Sequence, residues 1–289
     1  MPQALGTPFK IEADGFAFTE CPRWRDGQFY FSDVQGKRVC KLSATGRVET
    51  LLESADNPSG LGFLPNGDLL VVSVHDEKLL RLSKDGSVRE HADLSGVVDY
   101  GINDMVVDAA GRAYVGQFGY EHSAARMPEA SPLILVDPEG RVSVGSDPLL
   151  VANGMVLTPD GRTLICAESA GGKLTAFDVD TNGSLSNRRI FAELPPGHYP
   201  DGICLDAAGG VWVACVLGPG FIRVVEGGAV THSVPMPEGR FAYACMLGGA
   251  DRKTLYMCTS ELYDPTYLKT CRTSRIESIR VDFAGAGLP

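Results

Sequence analysis

Residues 59–94 read SGLGFLPNGDLLVVSVHDEKLLRLSKDGSVREHADL, and the spacing of turns within this stretch decides the fold. Asn66-Gly67 separates SGLGFLP from DLLVVSV, the polar residues 75–77 separate DLLVVSV from KLLRLSK, and Asp85-Gly86 separates KLLRLSK from SVREHADL. Asn-Gly and Asp-Gly supply the left-handed backbone that tight hairpins require, so the stretch predicts four short antiparallel strands in succession.

The same order recurs along the chain. Upstream stand CPRW, Asp26-Gly27, QFYFSD, RVCKLS, Thr45-Gly46 and RVETLL. Downstream, INDMVVD, Gly111 and RAYVGQF precede an insertion of about fifteen residues, after which LILVDP, Glu139-Gly140 and RVSV complete the unit. Two further units follow as NGMVLTP, TLICAES, LTAFDV, RIFAEL and as DGICLD, GVWVACV, FIRVVE, AVTHSV. A sixth begins with YACMLGG and TLYMCTS, takes RIESIRVDF as its next strand, and needs the N-terminal KIEADGFAF to complete it. The first turn glycines fall at 27, 67, 111, 161 and 209. A period of about 40 to 50 residues with four strands per unit is the signature of a β-propeller, because one such sheet cannot bury both of its faces alone. The sequence therefore predicts an all-β, six-bladed β-propeller of four-stranded antiparallel blades, with residues 1–289 forming a single domain. A β-sandwich also has short strands and turns, but it does not repeat this order.

Composition narrows the function. The chain of 289 residues is 44% hydrophobic, carries 26 Lys and Arg against 36 Asp and Glu, and has a formal net charge of −10. That balance opposes a surface that tracks nucleic-acid phosphates. No run approaches the length of a membrane span, and the N-terminus lacks the basic and apolar regions of a signal peptide, so the expectation is a cytoplasmic protein with neither nucleic acid nor membrane as partner. The oligomeric state is not readable. The eight cysteines include no C-x-x-C, which removes zinc-ribbon and thioredoxin readings. Cys204 with Cys215, and Cys245 with Cys258, are equidistant from turns and are expected to face each other across hairpins as small buried hydrophobes.

Counting back eight residues from the turn glycines reaches Ser59, Asn103, Asn153 and Asp201, and counting back seven in the first unit reaches Glu20. In a propeller the first strand of each blade lines the central channel, so these side chains converge at one mouth of it. Taken singly, each is the kind of residue that caps a turn. Taken together they offer two carboxylates and amide oxygens, hard donors suited to Ca²⁺, Mg²⁺ or Mn²⁺, while Zn²⁺ fits an open site that keeps water. No G-x-S-x-G elbow, H-E-x-x-H helix or Walker loop is present. His198 stands three residues before Asp201, and Glu121 and His122 open the insertion of the third unit, where a lid over the mouth is expected.

With TECPRW, IND-x-V-x-D-x-x-GR around Asn103, NGM-x-x-TPDG-x-TLI around Asn153, YPDGIC-x-D around Asp201 and CMLGGADRKTLYM, the sequence resembles the SMP-30/gluconolactonase/LRE-like family along essentially its whole length. The resemblance implies one divalent cation held by Glu20, Asn153 and Asp201, with Asn103 close by, and hydrolysis of a small-molecule lactone. Asp201 is the candidate general base, and Asn103, Glu121 and His198 are candidate substrate contacts. Gly101 stands where sugar-lactone members carry an Arg, which turns the expectation away from gluconolactone itself. Aromatic lactones or organophosphate esters are alternative substrates, and a calcium-binding propeller scaffold is the non-enzymatic alternative.

Overall fold

The computed structural model describes residues 2–6, 8–120, 127–261 and 270–288. The turn glycines anticipated from the repeat, Gly27, Gly67, Gly111, Gly161 and Gly209, have φ between 68° and 89°, the left-handed region that hairpins demand. Acidic side chains brace three of these turns, and at Gly161 Asp160 accepts the Arg162 amide. Asp108 accepts the Ala110 and Arg112 amides, and Asp206 accepts those of Ala208 and Gly210.

Six antiparallel sheets follow, each the blade of a propeller, and their innermost strands are Thr19–Arg25, Pro58–Phe63, Ile102–Val107, Ala152–Leu157, Tyr199–Leu205 and Arg240–Gly248. The N-terminal strand Lys10–Phe16 pairs with Ser274–Arg280 and supplies the fourth strand of blade 6, so the two ends of the chain close the ring in one sheet. One element was not legible. Gln3–Ala4 pairs in parallel with Val230–Pro235 and gives blade 5 a fifth strand. Residues 285–288 return to the inner strands of blades 4 and 5, where Leu157 and Leu288 exchange hydrogen bonds and Ala286 donates to Leu205.

The core lies between blades. Leu70, Val72 and Leu79 of blade 2 pack with Met105, Val115 and Ile134 of blade 3, and Val156 and Ile165 of blade 4 pack with Ile203 and Val213 of blade 5. Phe29, Phe31, Trp212, Phe221 and Met246 join blades 1, 5 and 6. Outer strands such as Val48–Glu53 stay largely in water. This is the burial pattern expected when single sheets hide their faces against neighbours.

Seven cysteines are buried and all those described are free thiols, but they do not face one another across hairpins as the turn spacing predicts. Cys204 lies opposite Trp212 and Cys215 opposite Pro200, while Cys245 lies opposite Met257 and Cys258 opposite Ala244. In both hairpins the pairing is offset from the assumed centre. Cys204 instead meets Cys245 of the next blade, Sγ to Sγ 3.8 Å. Among the described residues no helix is long and apolar enough to cross a membrane.

Candidate functional site

Every inner strand breaks register with its neighbour at the same depth. The steps fall between Glu20 and Arg23, Pro58 and Leu61, Ile102 and Met105, Ala152 and Met155, Pro200 and Ile203, and Ala242 and Ala244. A β-bulge bends its strand and re-aims a side chain, so six bulges at one level build one ring. The first residues inside the bulges are Cys21, Ser59, Asn103, Asn153, Asp201 and Tyr243. The equal offsets read from the sequence thus have a structural cause, with one correction: the blade 1 counterpart of Asp201 is Cys21, and Glu20 stands one place earlier. Cys21 has φ 49°, and Glu20 Oε2 accepts the Cys21 amide at 2.9 Å.

The ring can be walked contact by contact. Cys21 Sγ lies 3.5 Å from Ser59 Oγ. A Cβ on Gly60 would stand 2.7 Å from the Met105 nitrogen of blade 3, so only glycine lets these strands approach. Asn103 Nδ2 donates to the Ala152 carbonyl at 3.4 Å. A Cβ on Gly154 would stand 2.7 Å from the Asp201 carbonyl, and one on Gly202 would stand 3.1 Å from the Tyr243 carbonyl. Tyr243 closes the circle edge-on against Phe18, 4.7 Å between centroids.

Neighbouring strands hold these side chains in place. Asn153 Nδ2 donates to Ser169 Oγ at 3.2 Å, and the Ser169 hydroxyl donates to the Pro200 carbonyl at 2.6 Å. The Asn153 amide nitrogen is thereby committed and its orientation fixed. Asp33 accepts the amides of Ala17 and Phe18, each at 3.0 Å, and Glu168 accepts that of Leu150 at 3.0 Å, anchoring the chain as it enters blades 1 and 4.

Glu20 and Asp201 are each 8% exposed and Asn103 is 7% exposed. Burial pushes the Glu20 carboxyl well up, and the Asp201 charge pushes it further. Burial also raises Asp201, to about 8, with help from Asp104 and against a hydrogen bond from Asn153. Two carboxyls forced together out of water hold protons unless a cation takes their place. Among the described residues no three His, Cys, Asp or Glu side chains form a metal-holding group. The ring brings together two carboxylates and completes its oxygen donors with Asn153 and Asn103, a set that fits a hard divalent ion.

The remaining sequence candidates lie elsewhere. His198 Nδ1 sits 3.4 Å from the Pro196 carbonyl of its own loop rather than on Asp201. Glu121 and His122, and with them the expected lid, fall outside the described residues. A Cβ on Gly101 would stand 3.1 Å from the Val74 carbonyl and 3.7 Å from Phe118, so the position is confined. Sequence reasoning missed Asp104 and Arg23, a buried ion pair beneath the ring at 2.7 Å. Eighty-one residues separate them, and no local pattern links the two.

The SMP-30/gluconolactonase/LRE-like region model matches residues 18–261. Regucalcin from Xenopus laevis is 28% identical over 258 residues, covering 86% of this chain and 85% of its own. A 6-deoxy-6-sulfogluconolactonase from Pseudomonas putida is 25% identical over 253 residues, covering 83% and 82%. Among solved structures, a calcium-binding regucalcin from Agrobacterium tumefaciens superposes with a TM-score of 0.80 at 18% identity, covering 100% of this chain and 99% of its own.

Proposed function

The chain belongs to the SMP-30/gluconolactonase/LRE-like family, and on that footing we propose that it is a metal-dependent lactonase, opening a small cyclic ester at the ring of Glu20, Asn103, Asn153 and Asp201. The observation that carries the reading is the buried pair Glu20 and Asp201, which share one end of the channel closely enough for Glu20 to feel the charge of Asp201. Gluconolactonase names among the relatives agree with it.

Glu20, Asn153 and Asp201 would hold the ion, two as charged donors and one through its amide oxygen. A divalent cation bound there supplies Lewis-acid polarisation of the ester carbonyl. Asp201 takes the proton of the attacking water as its oxygen bonds to the carbonyl carbon. As the ring C–O bond breaks, that proton passes to the departing alkoxide, and the product is the open hydroxy acid. A carboxylate beside a cation is ordinarily a weak base, but burial raises its proton affinity, and the two effects offset each other. Asn103 faces the same level and would orient the substrate by hydrogen bonding.

Phe18 and Phe118 stand at the ends of strands on this side of the ring, Phe118 against Tyr120, and Gly101 replaces the cationic residue of sugar-lactone members. These features favour lactones with an apolar substituent over polyhydroxylated ones. The test is acid release from sugar, alkyl and aromatic lactones by chelator-stripped protein before and after each divalent ion. Turnover restored by an ion, with alkyl or aromatic lactones ahead, supports the reading. Ion binding without acid from any lactone would instead make the protein a cation-binding propeller.

A further inference from the structure

Arg23 lies three residues beyond Glu20 on the inner strand of blade 1, and its side chain is 4% exposed. It passes under blade 2 and reaches blade 3. Nε donates to the Leu61 carbonyl at 2.6 Å and Nη1 to the Pro22 carbonyl at 2.8 Å. Nη2 donates to Asp104 Oδ1 at 2.7 Å and to the Met105 carbonyl at 2.6 Å. Asp104, 5% exposed, also accepts the Met105 amide. It is the second residue of the blade 3 bulge, next to Asn103. At that position blades 2, 4 and 5 have Gly60, Gly154 and Gly202, none of which has room for a Cβ. Blade 3 therefore departs from the repeat by placing a charged side chain under the ring.

A buried ion pair is a poor source of net stability, since the cost of removing two charges from water consumes most of their attraction. This pair sits where its charges act on the ring: Asp104 acts on both Glu20 and Asp201, and Arg23 acts on Glu20 in the opposite sense. We propose that Arg23 and Asp104 form a charge-setting pair for the cation site. Arg23 cancels Asp104, so the ring presents the charge of two carboxylates instead of three, and two of its four hydrogen bonds, to Asp104 and to the Met105 carbonyl, join blade 3 to the strand carrying Glu20. The inference rests on the cation-binding reading of the ring and specifies which residues outside it set its affinity.

The pair predicts shifts of opposite sign, which a merely structural role would not give. Full-length, chelator-stripped protein is titrated calorimetrically with Ca²⁺ and with Mn²⁺. Arg23→Met leaves Asp104 uncancelled and is expected to tighten cation binding by about tenfold or more, and Asp104→Asn leaves Arg23 uncancelled and is expected to weaken it to a similar degree. The double variant should return close to the wild type, and Arg23→Lys, which keeps the charge, should stay near it. Weakening in both single variants, or no shift in either, overturns the proposal. If Arg23→Met does not fold, restoration of Asp104→Asn by the second substitution carries the same test, and failure to restore overturns it. Wild-type protein that binds neither ion would remove the cation reading itself, whereas wild-type binding with parallel losses removes only this pair's role.

Discussion

Without a cation, replacing Asp201 by Asn is expected to stabilise the protein at neutral pH, although Asp201 is proposed to be essential to turnover. The folded chain holds the Asp201 carboxyl at about 8, against an ordinary value of 3.8. Between those limits the folded state keeps a proton that the unfolded state has released, so stability falls as pH rises through the window. The slope for one such group is about 1.4 kcal/mol per pH unit, or about 3 kcal/mol between pH 5 and pH 7. For a chain of this size that corresponds to a fall of about 5 °C in Tm. Glu20, also raised, adds to the effect with the same sign. Asn has the shape of the protonated acid and no charge to bury. Thermal unfolding of both proteins in chelator should therefore give curves that converge toward pH 4 and separate in favour of Asp201→Asn up to about pH 8. Saturating cation should reverse the order, since the ion binds the ionised form and stabilises the wild type by mass action. A difference in Tm that does not change with pH, or a wild type that gains on Asp201→Asn as pH rises, would refute the assignment of Asp201 to a buried, cation-free acidic pair.

Three further outcomes test the architecture that holds the ring. Gly154→Ala would put a methyl group 2.6 Å from the Ile203 nitrogen and 2.7 Å from the Asp201 carbonyl, all immobile backbone, and is expected to cost about 3 kcal/mol in chemical denaturation and to weaken cation binding. Ser169→Ala removes one of the two partners of the Asn153 amide, leaving only its bond to Asp201, and should leave Tm within a few degrees while lowering cation affinity about five- to tenfold in a calorimetric titration. Deleting residues 2–16 removes the strand that closes blade 6, leaving Ser274–Arg280 as an open edge, and scanning calorimetry should show loss of the cooperative transition or aggregation well below the wild-type Tm.

What could be read from the sequence is what the fold repeats. A hairpin needs a left-handed residue, glycine supplies it most cheaply, and so Gly27, Gly67, Gly111, Gly161 and Gly209 mark five blades by their spacing alone. The ring residues follow because a turn fixes the register of the strand leading into it. Where the repeat fails, so does the count. In blade 6 the fourth turn position belongs to Arg252, with φ 57°, and the inner strand is longer, so Tyr243 cannot be found by counting from a glycine. In blade 1, Glu20 lies one residue off the ring position and reaches it through a longer side chain than Asp has. Arg23 and Asp104 obey no period at all, and only the closed ring brings them together. Glu20, Arg23 and Asp104 bring charge to places the repeat does not mark, while Asp201 keeps the regular position. Six equivalent bulges would make a symmetric channel with nothing to distinguish one blade from another. Chemistry requires an asymmetric set: acids in blades 1 and 5, amides in blades 3 and 4, a ring hydroxyl in blade 6 and an ion pair slung beneath blade 2. The repeat therefore fixes where a side chain points, and the residue type at each position, with the off-period Glu20, Arg23 and Asp104, determines what the site can hold.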